Sequence, residues 1–137
     1  MIASDRIKKL DEFFKAFSIV SEGNYVYLCD IKEDYSRWSK SAVDYFNLPG
    51  VYMYGAGSVW EDHIHPDDRE KYHESIERIF SGADEGHEMQ YRAMANDGCY
   101  VDCTCRGVVL RDNNGNPEYF AGAIKNHGSM SYIDTIT

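Results

Sequence analysis

The sequence predicts an α+β domain in which helices pack against an antiparallel sheet. A long amphipathic helix with a clearly marked start occupies the middle of the 137-residue chain. Two strand-like segments precede this helix, and three more follow it, separated by short turns. Short turns join antiparallel neighbours. The segments therefore predict a five-stranded antiparallel sheet with short helices and one longer helix on one face, preceded by an N-terminal amphipathic helix.

The N-terminal element is predicted to be a helix from Ser4 to Val20, with Ser4 as its N-cap. Apolar residues recur at three- and four-residue spacing on one side, and lysines and acidic residues occupy the other. This stripe fits either the chain's own sheet or the same helix of a second chain, because its repeat is too short to identify a coiled coil. The residues of the stripe are Ile7, Leu10, Phe14 and Phe17.

The segment before the central helix predicts two strands and a short helix. Residues 24–31 and 35–38 are rich in aromatic and β-branched side chains, which favour strands. A short helix is predicted from Ser41, whose spacing to Asp44 is that of a capping box, to Phe46. Residues 51–58 contain three small residues and are predicted to form an irregular loop or a single helical turn.

The central helix is predicted to begin at Pro66 and to run to Phe80. Proline fits the first helical position, because the N–H that it lacks would have no partner there. Two aspartates follow, where the helix dipole favours negative charge, and Ser81-Gly82 supplies the stop. His65 is expected to cap this helix, and Trp60 is expected to anchor the preceding loop in the core.

The last three strands are predicted at residues 87–94, 99–110 and 118–125. Asn96-Asp97-Gly98 and residues 112–117 supply the turns between them. Alternate residues of the middle strand are apolar, which predicts one buried face.

Charge and composition exclude several classes of function. The formal net charge is −9, whereas nucleic-acid binding needs clustered lysine and arginine. No apolar stretch is long enough to span a membrane, and the chain does not begin with a signal-peptide pattern. The four cysteines, at positions 29, 99, 103 and 105, lack metal-site spacing. They are expected to be reduced thiols of a cytoplasmic protein.

No residue pattern predicts catalysis or a bound metal. His63 and His65 precede the central helix, but the further ligands of a closed zinc site are not found at a suitable spacing. The nucleophile and phosphate-binding motifs common in enzymes are also missing. The chain as given is therefore predicted not to be an enzyme.

Five motifs occur in a fixed order between Trp60 and Ile124. They are Trp60 with Ile64-His65-Pro66-Asp67-Asp68-Arg69, then Met89-Gln90-Tyr91-Arg92, Asn96-Asp97-Gly98-Cys99-Tyr100-Val101, Arg111-Asp112-Asn113-Asn114-Gly115-Asn116-Pro117, and Phe120-Ala121-Gly122-Ala123-Ile124. This ordered set resembles the PAS sensor domain, in its PAS fold-3 form. The resemblance divides the chain into a leading helix (1–23), a sensor domain (24–126) and a linker (127–137).

The resemblance implies a ligand cavity between the inner face of the sheet and the short helices, with the hydroxyls of Tyr54 and Tyr91 orienting the ligand. Haem, which some relatives bind through the central helix, is not expected, because His73 there is predicted to face solvent. Flavin photosensors need a cysteine that residues 47–60 lack, so flavin is not expected either. The ligand and any cofactor remain unidentified. The candidate cavity residues are Leu28, Trp38, Val43, Phe46, Met53, Tyr54, Trp60, Ile64, Tyr72, Ile76, Met89, Tyr91, Val101, Cys103 and Cys105.

The resemblance also implies partners. Sensor domains of this family often dimerise through a leading helix, so Ile7, Leu10, Phe14 and Phe17 are the candidate dimer residues of an expected homodimer. Residues 132–137 resemble the opening of diguanylate cyclase (GGDEF) domains, which indicates a C-terminal output domain. The junction to that domain departs from the family's usual Asp-Ile-Thr, with Lys125-Asn126-His127-Gly128 in its place.

Two functions therefore stand as hypotheses. The first is a sensory domain that controls a C-terminal output domain through a small ligand or through dimerisation. The second is a purely structural homodimerisation module whose own rings fill the cavity.

Overall fold

A computed structural model of the chain describes residues 2–128. The helices of this part are α1 (Ser4–Val20), α2 (Lys40–Phe46), α3 (Ala56–His63) and α4 (Pro66–Ser81). Its strands are β1 (Tyr25–Asp30), β2 (Tyr35–Trp38), β3 (Tyr52–Tyr54), β4 (His87–Met94), β5 (Tyr100–Arg111) and β6 (Pro117–Gly128). The predicted α+β class is confirmed. Residues 132–137, which resemble the start of a cyclase domain, lie outside the described part.

The strands form one antiparallel sheet in the order β3-β2-β1-β6-β5-β4. The central pair is β1 with β6, so the last strand within residues 2–128 lies beside the first. The sequence predicted five strands, and the sixth is β3, within a segment that was expected to be irregular. This strand was missed because it spans three residues, of which Met53 alone is buried. The same segment also begins α3, at Ala56.

The starts of α1 and α2 differ from the predicted caps. The N-cap of α1 is Ala3 rather than Ser4, and no side chain caps it. The N-cap of α2 is Ser39 rather than Ser41, and its hydroxyl accepts a hydrogen bond from the N–H of Ala42. The predicted cap was thus two residues too late. The hydroxyl of Ser41 does not cap the helix but donates a hydrogen bond to the hydroxyl of Ser39.

Both predicted signals of α4 are confirmed. His65 is its N-cap, and the ring Nδ1 accepts from the N–H of Asp67 at 3.1 Å. Gly82 ends the helix with φ 85°, in the left-handed region that favours glycine. No helix within residues 2–128 combines the length and apolar character needed to cross a membrane.

The helices lie on both faces of the sheet. The main core lies between α2, α3, α4 and the inner face, whereas α1 packs on the outer face of β1 and β6. Leu10 is fully buried there, and Phe14 is 8% exposed. Arg6 of α1 donates two hydrogen bonds of 2.8 Å to the buried carboxylate of Asp30 in β1.

The docking of α1 shows where the four candidate dimer residues lie within the chain. Leu10 and Phe14 are buried against the chain's own sheet, and Phe17 packs beside them. Ile7, the fourth member of the stripe, is half-buried. The stripe therefore packs on the chain's own sheet, because β1 and β6 present apolar residues on their outer face.

Candidate ligand cavity

A cavity of about 100 Å³ lies between the inner face of the sheet and helices α3 and α4. Its walls are mainly aromatic, and they include both tryptophans of the chain. The residues that line it are Tyr27, Cys29, Ser36, Trp38, Ala56, Gly57, Trp60, Tyr72, Ile76, Phe80 and Phe120.

The structure distributes the candidate cavity residues among three places. Trp38, Trp60, Tyr72 and Ile76 line the cavity. Nine others belong to the surrounding core without lining it: Val43, Phe46, Met53, Ile64, Met89, Tyr91, Val101, Cys103 and Cys105.

Leu28 and Tyr54 do not face the cavity. Leu28 is buried under α1 on the outer face, because β1 presents Tyr27 and Cys29 to the inner face instead. Tyr54 is 53% exposed, and its hydroxyl accepts from the N–H of Ile2. It was expected to orient a ligand, but the pleat of β3 directs its neighbour Met53 inward.

Of the strand residues that line the cavity, Trp38 was predicted, whereas Tyr27, Cys29, Ser36 and Phe120 were not. Tyr27 and Phe120 stack across the central strand pair, with ring centroids 5.7 Å apart and planes 14° from parallel. Tyr27 also stacks on Trp38, at 4.4 Å and 15°. The alternation of Tyr25, Tyr27 and Cys29 along β1 was the available signal, because alternate residues of a strand share one face.

Two glycines let these rings lie against the sheet. A Cβ atom at Gly107 would come 2.7 Å from the ring of Phe120. A Cβ atom at Gly122 would overlap the ring of Tyr27. Glycine at both positions therefore sets the depth of the cavity wall.

Hydroxyl and thiol groups meet at one end of the cavity. The hydroxyl of Tyr27 lies 3.6 Å from Sγ of Cys105, and Nε1 of Trp60 donates to the hydroxyl of Tyr91 at 2.9 Å. Burial raises the pKa of Tyr27 and Tyr91 well above the usual value, and the neighbouring Cys105 and Tyr72 raise both further. All of these groups are therefore neutral at physiological pH.

The hydroxyl of Tyr72 is the polar group of the cavity lining that lacks a hydrogen-bond partner among the described residues. The residue is 9% exposed and lines the cavity, and within residues 2–128 its hydroxyl makes no hydrogen bond. Burial raises its pKa, followed by the effects of Cys105 and Glu61. The oxygen is not fully enclosed, since Tyr72 also borders the surface pocket between α3 and α4, so it is free to bond to water or to a bound group.

The cavity has a mouth between α3 and α4. Gly57, Tyr72 and Ile76 border both the cavity and a surface pocket that Glu61 and His73 also line. Nδ1 of His73 contacts the carboxylate of Glu61, which ties α4 to α3 beside the mouth. The hydrogen bond to Glu61, followed by the charge of Glu61, raises the pKa of His73.

The other histidines lie away from the mouth. His63 is half-buried, with Nδ1 and Nε2 each 2.9 Å from a backbone carbonyl, of Val59 and Phe46 respectively. His87 is buried; Nδ1 contacts Ser75 at 2.6 Å, Nε2 lacks a partner, and burial lowers its pKa. No group of three metal-binding side chains converges within residues 2–128.

The profile of a protein family described as a PAS fold matches residues 35–124. No curated protein sequence matches the chain. A sensory box histidine kinase/response regulator from Burkholderia thailandensis is 17% identical, with a TM-score of 0.66 over 89% of this chain and 90% of that chain.

Two further solved structures share the fold. The N-terminal domain of a diguanylate cyclase with PAS/PAC sensor from Marinobacter aquaeolei is 21% identical, with a TM-score of 0.62 over 77% of this chain and 95% of that chain. A PAS domain from Colwellia psychrerythraea is 15% identical, with a TM-score of 0.64 over 88% and 98%. At these identities the similarities show the fold alone.

Proposed function

The chain belongs to the PAS fold family, and from this premise we propose that it is a cytoplasmic sensory domain whose cavity binds a small ligand. In this proposal ligand binding biases an output domain that follows the described residues in the full-length protein. The observation that carries the proposal is the aromatic cavity, which is lined by a hydroxyl, that of Tyr72, with no hydrogen bond to the rest of the described residues. Pockets that bind small molecules are mainly apolar, with a few polar groups that fix orientation.

A route from the cavity to the output domain supports this proposal. Phe120 lines the cavity and belongs to β6, which runs on to Gly128 at the end of the described residues. A ligand that moves Phe120 or its partner Tyr27 therefore acts directly on the last strand before the output domain. Binding changes the output only if the ligand binds two arrangements of the domain with different affinities.

A diguanylate cyclase is the output that we propose. The tail sequence resembles the start of such a domain, and one structure of similar fold is the sensor part of a diguanylate cyclase. We attribute no reaction to the chain itself, because its carboxylates are mainly explained by ion pairs, caps and turns.

The size of the cavity argues against large cofactors. An apolar cavity of about 150 Å³ holds one benzene molecule, whereas this cavity measures about 100 Å³. Haem and the three fused rings of a flavin exceed this volume several-fold, and neither fits without opening the helices from the sheet. The proposal therefore concerns a small ligand.

The second candidate function is a structural dimerisation module without a ligand. The observation that favours it is apolar surface outside the core: Phe13, Ile19 and Val20 on α1 and Val108 and Leu110 on β5 are exposed. This surface lies on the face of the sheet opposite the cavity, so dimerisation and ligand binding do not compete for the same residues.

Native mass spectrometry of the gently purified full-length protein tests both functions. A stoichiometric extra mass, lost on denaturation and identified as a small organic molecule, is the expected result for the sensor. An empty dimer whose cyclase activity responds to no fraction of a small-molecule extract would refute the sensor in favour of the structural module.

A further inference from the structure

We infer that the ligand of this cavity is a small uncharged molecule of about one six-membered ring that carries a hydroxyl or similar group bonded to Tyr72. The inference rests on the proposed sensory function and specifies its ligand class. Three features of the cavity carry it: volume, charge and the position of the free hydroxyl.

The volume limits the ligand to about a single ring. The cavity of about 100 Å³ is smaller than the 150 Å³ that accommodates benzene in an apolar protein interior. The mouth at Gly57 and Ile76 adds room for one edge of the ligand, because it continues into the surface pocket. Planar molecules fit best, since the walls Tyr27, Trp38 and Phe120 are stacked rings.

The charge of the site excludes ions, and anions most strongly. The lining contains no acidic, lysine, arginine or histidine side chain. An ion inside would lose its hydration without a counter-charge, at a cost of many kcal/mol. At the mouth, Glu61 and Glu77 present carboxylates beside His73, so an approaching carboxylate meets like charge.

The hydroxyl of Tyr72 specifies the polar group. The other polar groups at this end are already engaged, Tyr27 with Cys105 and Tyr91 with Trp60. Ser36 is engaged too, since it accepts from Trp38 and donates to the carbonyl of Met53. Tyr72 therefore offers a donor and an acceptor to a ligand, and one matching hydroxyl satisfies it.

Three probes separate these features: benzene, which is apolar, phenol, which adds one hydroxyl, and benzoate, which adds a negative charge. The two tryptophans of the chain, Trp38 and Trp60, both line the cavity. Their indole N–H signals in a ¹⁵N spectrum of the full chain therefore report occupancy directly. We expect benzene and phenol to shift both signals in a saturable manner, and benzoate to shift neither.

The variant Tyr72→Phe tests the hydrogen bond. It keeps the ring and removes the hydroxyl, so benzene affinity should stay within about twofold while phenol affinity falls about 2- to 10-fold, the range of one hydrogen bond. Retained benzene binding shows that the variant is folded. The matched control is Tyr100→Phe, because Tyr100 packs on His65 away from the cavity and should change neither affinity.

Four outcomes overturn the inference. Binding of benzoate as tight as that of phenol would refute the charge argument, and equal loss of phenol and benzene affinity in Tyr72→Phe would refute the hydrogen bond. If neither neutral probe shifts the indole signals but a larger or charged molecule from cell extract does, the ligand class is wrong and the sensory function stands. If no extract component shifts them either, the sensory function fails as well.

Discussion

Replacement of Trp60 by alanine should destabilise the domain by about 4 kcal/mol, within the range of about 3–5 kcal/mol for Trp→Ala changes at buried sites. Trp60 is 2% exposed, and its ring contacts Trp38, Phe46 and Tyr91 with centroids 5.4, 5.0 and 6.2 Å away. The change also removes the donor to Tyr91, whose buried hydroxyl would then lack this bond. One side of the ring already borders the cavity, so fewer contacts are lost there, and this keeps the expected cost below the upper limit.

Urea unfolding followed by circular dichroism measures this cost without relying on the fluorescence of the deleted residue. The slope with urea should stay unchanged, because the same surface unfolds. The control Trp60→Phe keeps an aromatic ring but loses the N–H, so about 1–2 kcal/mol is expected for the hydrogen bond and the smaller volume. A loss below 1 kcal/mol for Trp60→Ala would show that the ring is not packed as described.

Three further predictions concern α1, the mouth and the sheet. Phe14→Ala should destabilise the fold by about 3 kcal/mol or more, because it removes a buried ring between α1 and the sheet. Thermal unfolding would show this loss, and sedimentation would show no change in oligomeric state. An unchanged melting temperature would contradict the docking of α1. Glu61→Gln should lower the pKa of His73 towards its ordinary value, since Glu61 is the main cause of the raised pKa. Because the pKa of His73 is raised in the folded state, its ion pair with Glu61 stabilises the fold fully at pH values below the ordinary histidine pKa. This stabilisation is lost as the pH rises through the folded-state pKa. The variant should lack this pH dependence of stability. An NMR titration of His73 that gives the same pKa in both proteins would contradict this. Gly122→Ala should cost about 1–3 kcal/mol by overpacking against Tyr27 and should shift the indole signal of Trp38; an unperturbed spectrum would show that the ring has free space.

The second half of the fold could be predicted well from sequence. The bounds of β4 matched, α4 differed from the prediction by one residue at its C-terminal end, and β5 differed by one residue at each end. The reason is physical: β5 has one buried and one exposed face, so its alternation is visible, and α4 begins at a proline and ends at a glycine. Each of these elements carries its own local signal.

The cavity wall could not be predicted in the same way, because β1 is buried on both faces. Val26 and Leu28 are covered by α1, while Tyr27 lies in the main core. The one charged residue of the outer side, Asp30, is buried as well, so it does not mark that side as exposed. The hydrophobicity of Leu28 predicted that it lines the cavity, but the residue of β1 that does so is its neighbour Tyr27. A strand with two buried faces hides its orientation until the helix that covers the second face is placed.

The same double burial has a consequence for signalling. On the outer side, β1 is joined to α1 by the ion pair between Asp30 and Arg6. On the inner side, its Tyr27 stacks on Phe120 of β6 at the cavity wall. A ligand that displaces Tyr27 therefore acts on a strand held to α1 on one side and hydrogen-bonded to β6 on the other. We expect ligand binding to be communicated through this central strand pair, because Tyr27 and Phe120 line the cavity and belong to β1 and β6, and β6 runs to the end of the described residues.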